Sequence, residues 1–459
     1  MSTLTASAGT PKPIRGWASR YRVLVALVLV SLFYGSAVAI MHDDTVSPID
    51  EVVYLDYTFK VYEEGLVREG ERFGDEVAQV VACEGVVPHG TFGQECAEGQ
   101  AVNSEGMPNA GYSTGAPYTP IYFWMTRIVG DAIESISGLS TVTSWRLTGV
   151  LWLAATVALL VIFLRRQGLS ETVTFVVGLL FIASPFAWWT YTYLSTDVTS
   201  VLFGAAVMLV VLEAKKGRLS PWWLLPIALA GALFKITNLI VLGLVLLFMV
   251  LSLLAKKSGI VSEGRTASIP PKRDTLLWAV IGASTLVAAA VQLAWMRLVP
   301  LLAVSETRVD QGVAAALSPT ELIGLAVSGI AGPITHNPAA GIFPTGPFAS
   351  IAAPLGWVLV AGVVGSIMIA QPKESSTPLI WATGLASILA LPALGVVFWL
   401  TTGSYFSLPA RYAATLIPAQ LLLVGMLLRS KAAAIVFIGY AVLLMGTGGL
   451  LAVHIGRMF

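Results

Sequence analysis

Charged residues are scarce in this sequence. Of its 459 residues, 12% are charged and 56% are hydrophobic, and the mean hydropathy is +0.80. A soluble globular domain carries roughly 25% charged residues, so about half that fraction cannot cover a surface that faces water. The composition therefore excludes a soluble protein and predicts a polytopic membrane protein in contact with the lipid bilayer.

Several functional signatures are also missing. No basic stripe interleaved with aromatic residues is present, so nothing in the sequence indicates nucleic-acid binding. The loops contain no phosphate-binding Gly-Lys-Ser/Thr loop, which argues against ATP-driven transport. The four histidines are scattered, and no His/Cys cluster has zinc-ligand spacing. No inverted repeat is recognisable, so the usual symmetry signature of secondary transporters is absent.

The basic residues between the hydrophobic runs predict the topology. If these residues and the N-terminus are cytoplasmic, the positive-inside rule is obeyed throughout. The basic clusters are Arg165 and Arg166; Lys215, Lys216 and Arg218; Lys256, Lys257, Arg265, Lys272 and Arg273; Lys373; and Arg429 and Lys431. Alternation then predicts about eleven transmembrane helices, with the N-terminus inside and the C-terminus outside.

The predicted fold is a single all-α transmembrane domain over residues 1–459. The first run, 23–41, is long enough to span about 30 Å of hydrocarbon, and we expect an uncleaved signal anchor rather than a signal peptide. The other spans are expected at 143–164, twice between 171 and 213, twice between 221 and 254, and at 275–299, 351–370, 378–400, 413–428 and 432–453. The apex between the two short spans is expected near residues 234–238.

Two outer loops are predicted. The first, residues 43–142, carries most of the acidic residues and both cysteines, and we expect it to contain short interfacial helices. An even pair of cysteines in an oxidising compartment predicts a Cys83–Cys96 disulfide, with two free thiols as the alternative. The second loop, 300–350, is rich in Gly and Pro. It is expected to be either a mobile cover for a substrate or a plain connector.

An acidic and aromatic stretch follows the first span, and we predict that the chain is organised around it. Asp50 and Glu51 lie at its centre, a few residues outside the predicted bilayer. Two adjacent carboxylates at this place form either a reaction centre at the membrane surface or ordinary solvated loop charges. Asp43 and Asp44 lie still closer to the membrane, so they compete with Asp50 for any catalytic role.

Five short motifs in this sequence together resemble GT-C glycosyltransferases, and most closely their protein O-mannosyltransferase and aminoarabinose-transferase branch. They occur in the family's order and all lie on the predicted outer side. The motifs are Asp50-Glu51 with Tyr54 and Gly65; Ala116-Pro117-Tyr118 through Tyr122 to Trp124; Ser184-Pro185 through Asp197; Phe234-Lys235; and Pro409-Ala410-Arg411-Tyr412 with Pro418. The long insertion between Gly65 and Tyr118 departs from the family's pattern and leaves the acceptor open.

The resemblance implies a membrane glycosyltransferase. Such an enzyme transfers a sugar from a polyprenyl-phosphate carrier to an extracytoplasmic glycan, lipid or protein, usually with inversion. It would lie in the plasma (inner) membrane, with its active site on the extracytoplasmic face, and act in glycan or cell-wall biosynthesis. No cofactor is required, although Mg²⁺ or Mn²⁺ held weakly by Asp43 and Asp44 is an alternative.

The resemblance also assigns roles to individual residues. Asp50 is the expected general base, and Glu51 is expected to orient it or to bind the acceptor. Lys235 and Arg411 are the expected ligands of the donor phosphate, because Arg donates two parallel hydrogen bonds and Lys supplies a point charge. The alternative for both cations is snorkelling toward lipid headgroups.

Aromatic residues complete the predicted site. The expected substrate contacts are Tyr54, Tyr118, Tyr122 and Tyr412, together with His336. Aromatic belts at the membrane interface are the alternative explanation for such tyrosines. We expect a belt for Trp188, Trp189, Tyr191 and Tyr193, and a helix-capping role for Asp197.

A secondary transporter or flippase for a lipid-linked or polar solute is the alternative function. Such a protein is expected to place ionisable residues near the bilayer midplane. The predicted spans are almost free of charge, and Arg146 and Arg297 lie near their ends. This distribution favours chemistry at the membrane surface over transport through the membrane.

Overall fold

The computed structural model describes residues 15–91, 96, 107–258, 271–305, 314–335, 346–372, 374–403 and 405–457. Within this part of the chain the protein consists of helices joined by turns and loops, with two strands of two residues each. The predicted all-α class is confirmed. The α-helices are α1 (Arg15–Met41), α2 (Glu51–Glu64), α3 (Asp75–Glu84), α4 (Ile121–Ser137), α5 (Thr141–Arg166), α6 (Glu171–Ile182), α7 (Pro185–Thr192), α8 (Ser200–Lys215), α9 (Leu224–Phe234), α10 (Ile240–Lys257), α11 (Pro271–Leu301), α12 (Pro319–Thr335), α13 (Gly346–Ile369), α14 (Thr377–Thr402), α15 (Ile417–Leu427) and α16 (Lys431–Ile455).

Short elements connect these helices. Five 3₁₀ segments in the described residues are Pro108–Gly111, Thr196–Thr199, Pro221–Trp223, Ile236–Leu239 and Ala410–Leu416. The strands β1 (Ala314–Ala315) and β2 (Tyr405–Phe406) pair antiparallel, with Ala314 opposite Phe406. Three of the 3₁₀ segments carry or adjoin the residues of the site described below.

Nine helices in the described residues are long and apolar enough to cross a membrane. They lie at Tyr21–Met41, Thr141–Arg166, Thr196–Lys215, Ile236–Lys257, Asp274–Leu301, Pro347–Ile369, Thr377–Thr401, Ala410–Leu427 and Lys431–Ile455. The pair α6 and α7 is a tenth candidate, bent by 60°. A multi-pass membrane protein is therefore confirmed. Every one of the eleven predicted spans coincides with a helical segment, but one is this bent pair and another is the short Pro221–Phe234.

Local sequence explains where several helices begin. The hydroxyl groups of Ser140, Ser170, Ser184 and Ser430 each accept a hydrogen bond from a backbone N–H in the first turn of the following helix. Such a hydroxyl satisfies one of the N–H groups that a helix start leaves unpaired. Ser184 is followed by Pro185, whose fixed φ suits a first helical turn. The break between α6 and α7 is therefore encoded locally.

The second outer loop contains a helix that the sequence analysis did not predict. Helix α12 packs against α13 and α14 and against the 3₁₀ segment Ala410–Leu416. The buried side chain of Gln420 fastens it, because its Nε2 donates to the carbonyl of Gly329 at 3.2 Å and to the Ser387 hydroxyl at 3.0 Å. Part of this loop is thus a packed helix, and the Gly and Pro content alone did not reveal it.

The described residues of the predicted first outer loop contain three α-helices and the 3₁₀ segment Pro108–Gly111. Helix α2 packs against α3 and α4, and α4 packs on α5. The predicted disulfide is confirmed, since Cys83 at the end of α3 is bonded to Cys96. The carboxylate of Asp56 accepts a hydrogen bond from the Gly74 N–H at 2.8 Å, which joins α2 to the start of α3.

The aromatic residues of α7 and the adjoining Tyr193 do not form an interfacial belt, so that prediction was wrong. Trp188, Trp189, Tyr191 and Tyr193 are each at most 3% exposed. Helix α7 lies among α1, α5 and α12, and every one of its residues is buried. The indole of Trp188 donates to the carbonyl of Gly448 at 3.0 Å. Tertiary packing explains these rings.

Candidate functional site

Asp50 immediately precedes α2 and has an unusual backbone conformation. Its φ of 59° and ψ of −17° are left-handed, a region that Asp tolerates better than most residues. Its side chain makes no capping bond to α2. Instead, Asp50 Oδ2 accepts a hydrogen bond from Arg411 Nη2 at 2.8 Å, while the side chain stays 40% exposed. A non-glycine residue held in this region is a common feature of functional sites.

Asp197 holds two cations from different parts of the chain. Its Oδ1 lies 2.7 Å from Lys235 Nζ, and its Oδ2 lies 3.1 Å from Arg411 Nε. Its side chain is 1% exposed. The prediction that Asp197 caps a helix was wrong: the cap of Thr196–Thr199 is Ser195, whose hydroxyl accepts from the Asp197 N–H. The Asp197 carboxylate is thereby left for the cations.

Arg411 joins the two aspartates. It lies in the segment Ala410–Leu416, where the guanidinium donates through Nε to Asp197 and through Nη2 to Asp50. Residues from four separate stretches of the sequence therefore form one chain of contacts, Lys235–Asp197–Arg411–Asp50. We name these four residues the charged cluster.

Lys235 lies at the apex between α9 and the segment Ile236–Leu239, as predicted. Its extended backbone, with φ −162° and ψ 135°, separates the two helical pieces. Asn238 fixes this apex, since its Nδ2 donates to Thr199 Oγ1 at 3.0 Å and its Oδ1 accepts from Ser200 Oγ at 3.0 Å. The amine of Lys235 is buried beside Asp197, so snorkelling to headgroups does not describe it.

The predicted tyrosines gather around the charged cluster. Tyr54 donates its hydroxyl to Tyr118 at 3.2 Å and accepts from Thr196 at 3.3 Å. Tyr122 accepts from the Ser195 N–H at 3.1 Å. The ring of Tyr412 lies 5.3 Å from Lys235 Nζ.

Two of these phenols are neutral at physiological pH, and burial moves their pKa values further from it. Burial raises the pKa of Tyr54 and of Tyr118 well above the ordinary value, and the charge on Asp50 raises both further. These two hydroxyls are therefore neutral at physiological pH. They supply hydrogen-bond donors and apolar ring faces, not negative charge.

Glu51 is separated from the charged cluster despite its neighbouring position in sequence. It is fully buried and paired with Arg146, with both oxygens 2.9 Å from guanidinium nitrogens. Its two oxygens also accept from the Leu194 N–H at 2.9 Å and from the Ser47 N–H at 2.7 Å. These contacts occupy the carboxylate fully. The geometry favours a structural role over the predicted contact with an acceptor.

Asp43 and Asp44 lie outside the charged cluster. Asp44 Oδ1 accepts from the hydroxyls of Ser140 and Thr143 at the start of α5, at 2.5 and 3.0 Å. Among the described residues no three His, Cys, Asp or Glu side chains are grouped as a metal ion would require. His336, the remaining predicted contact, lies outside the described residues.

Sequence reasoning missed two of the most connected side chains. Arg146 was assigned to a helix end, yet it is fully buried and binds Glu51 together with the carbonyl of Thr45 at 2.7 Å. Asp197 was assigned to a cap. Both are ionisable residues within or at the edge of hydrophobic runs. Because an unpaired charge is costly there, their position could have predicted a buried partner of opposite charge.

No family model matches this sequence, and no curated protein matches it. One solved structure that matches is the single-particle cryo-EM structure of the arabinofuranosyltransferase AftD from Mycobacteria, at 14% identity and a TM-score of 0.45. The alignment covers 95% of this chain and 27% of that one. The chain thus spans about a quarter of that protein's length, and at this level of similarity the match carries no weight for function.

Proposed function

We propose that this protein is an inverting membrane glycosyltransferase that uses a polyprenyl-phosphate sugar and acts on an extracytoplasmic glycan, lipid or protein. The observation that carries this proposal is the charged cluster. Arg411 unites a partly exposed carboxylate with a buried one that also holds Lys235. A base beside two cations is what transfer of a sugar from a phosphate carrier requires.

The reaction follows from these groups. Asp50 takes the proton of the acceptor hydroxyl while that oxygen bonds to the anomeric carbon. The bond from this carbon to the phosphate oxygen breaks, and the electron pair leaves with the polyprenyl phosphate. Arg411 and Lys235 stabilise the negative charge on the leaving phosphate, the guanidinium through paired hydrogen bonds and the amine as a point charge.

Exposure supports Asp50 as the base. The Asp50 side chain is 40% exposed, whereas those of Asp197 and Glu51 are 1% and 0% exposed. A general base must come within hydrogen-bond reach of the hydroxyl that it deprotonates. Of these three carboxylates, Asp50 is the accessible one. Asp197 then acts as a positioning residue that holds both cations.

The surrounding tyrosines suit a sugar-phosphate donor. Tyr54 and Tyr118 are hydrogen-bonded to each other, and Tyr412 lies against both cations of the cluster. Their rings provide apolar faces near the place where the sugar would lie, and their neutral hydroxyls add no negative charge. We therefore keep Tyr54, Tyr118, Tyr122 and Tyr412 as proposed substrate contacts.

The test is transfer of radiolabelled sugar by the purified protein from a panel of polyprenyl-phosphate sugars, with and without EDTA. Asp50→Asn should abolish transfer while the protein still folds. The matched control is Glu63→Gln, which neutralises an exposed carboxylate of α2. Wild-type transfer in EDTA would agree with chemistry that needs no divalent metal.

Other results would redirect the assignment. Activity that survives Asp50→Asn would move the base to another carboxylate. No turnover with any donor, together with specific lipid or solute movement in liposomes, would favour the alternative of a transporter or flippase.

A further inference from the structure

We propose that Arg411 exchanges partners during the reaction: the donor phosphate displaces Asp50 from the guanidinium, and only then is Asp50 available as the base. This inference rests on the proposed function. In the structure Arg411 Nη2 donates to Asp50 Oδ2 at 2.8 Å. That oxygen is therefore engaged with the same guanidinium that the phosphate needs.

The two carboxylates that hold Arg411 are not equally replaceable. Asp197 is almost fully buried and is also bound to Lys235, so its removal would leave Lys235 without its carboxylate partner and Arg411 with Asp50 alone. Asp50 has no ion pair other than Arg411 among the described residues, and it is 40% exposed. Asp50 is therefore the carboxylate that an incoming anion can displace from Arg411.

Charge balance gives the exchange its direction. The cluster contains two carboxylates and two cations, so their formal charges cancel and an anion gains little from approaching it. When a phosphate takes the place of Asp50 on Arg411, it forms hydrogen bonds to a planar donor that Asp197 already orients. Asp50 then loses its contact with the guanidinium, because the phosphate accepts from the same Nη2 group that donates to Asp50 in the structure.

The local structure allows this movement. Glu51, the next residue, is fixed by Arg146 and by two backbone N–H groups, so α2 need not shift. Asp50 itself makes no capping bond to the helix. Rotation of its exposed side chain would then free the released oxygen to accept from an acceptor hydroxyl. Donor binding would therefore precede productive engagement of the acceptor.

Binding of farnesyl phosphate to the purified protein tests the exchange without requiring turnover, and farnesol serves as the uncharged probe. Asp50→Asn removes the competitor for Arg411 and should bind farnesyl phosphate more tightly, by about three- to tenfold. Farnesol affinity should not change. Glu63→Gln, which removes one exposed negative charge from the same helix, should leave both affinities at the wild-type value.

Arg411→Gln separates the exchange from the proposed phosphate site. Weaker farnesyl phosphate binding by Arg411→Gln, together with tighter binding by Asp50→Asn, supports the exchange. If Arg411→Gln weakens binding but Asp50→Asn does not strengthen it, the exchange is wrong and the phosphate site stands. Unchanged affinity in Arg411→Gln overturns both. If Asp50→Asn does not fold, Asp50→Ala removes the same charge. Binding of inorganic phosphate, measured beside farnesyl phosphate, distinguishes a site for free anions from a site for a lipid phosphate.

Discussion

Glu51 and Arg146, 95 residues apart in sequence, form a fully buried ion pair with two hydrogen bonds of 2.9 Å. The same carboxylate accepts from the backbone N–H groups of Ser47 and Leu194. Ser47 lies three residues before Asp50, and Leu194 lies three residues before Asp197. One ion pair therefore fixes both loops that carry the aspartates of the charged cluster.

Breaking this pair should destabilise the protein strongly. Glu51→Gln leaves the guanidinium of Arg146 buried without its counter-charge, so we expect the free energy of unfolding to fall by about 3–5 kcal/mol. Thermal unfolding in detergent measures the effect, and the exposed Glu63→Gln is the control. Adding Arg146→Met should recover part of the loss, since no uncompensated charge then remains. Equal stability of Glu51→Gln and wild type would contradict the structural role of the pair.

A comparison of two neighbouring residues tests what Asp197 does. Asp197→Asn removes the charge that holds Lys235 and Arg411, and we expect the transfer rate to fall about 100-fold, as when a charge-stabilising group is lost. Ser195→Ala removes only the cap, at about 1 kcal/mol of stability. Steady-state kinetics and unfolding, measured together, separate the two roles. If Ser195→Ala lowers the transfer rate more than Asp197→Asn does, Asp197 has only a structural role.

Arg411→Lys tests whether the planar guanidinium matters. Lysine cannot reproduce two hydrogen bonds from one rigid plane, so neither Asp50 nor the donor phosphate would be held as well. We expect the KM for the donor to rise about tenfold, equivalent to about 1.4 kcal/mol. Arg127→Lys is the control, because Arg127 pairs with Asp131 at 2.9 Å outside the charged cluster. A wild-type donor KM in Arg411→Lys would show that a point charge suffices.

Gly204 permits the packing that places Arg411. A Cβ at Gly204 would clash with the carbonyl oxygen of Thr415, in the segment Ala410–Leu416 that carries Arg411. Gly204→Ala should therefore cost about 1–3 kcal/mol through overpacking and lower activity as well. Gly243→Ala, where a Cβ meets nothing within 4 Å, should be neutral or stabilising because alanine favours the helix. Unfolding curves measure the stability of both variants. Equal stability of Gly204→Ala and Gly243→Ala would contradict the prediction.

The disulfide should stabilise the first outer loop more than the transmembrane helices. Cys83 and Cys96 are separated by 13 positions, and closing a loop of this size contributes roughly 3 kcal/mol. Replacing both with serine should raise hydrogen exchange in α3 and leave exchange in α8 unchanged. Reduction of the wild-type protein should reproduce the effect. Equal exchange in α3 with and without the bond would contradict the prediction.

Composition and charge pattern alone determined the architecture. Long hydrophobic runs between basic clusters are constrained to be helices, because a backbone in hydrocarbon must satisfy its own hydrogen bonds. The Lys235 apex follows from the same pattern, and it is where it was predicted. The orientation of the chain in the membrane stays a prediction.

Only the tertiary structure decided which ionisable residues meet. Asp197 and Arg411 are 214 positions apart, and no local pattern reveals that a buried carboxylate will hold a distant guanidinium. Likewise, Asp50 and Glu51 are adjacent in sequence, yet one reaches the charged cluster and the other is enclosed around Arg146. The physical reason is that pairing of buried charges depends on how the helices pack, because each charge needs a partner of opposite sign once water is excluded.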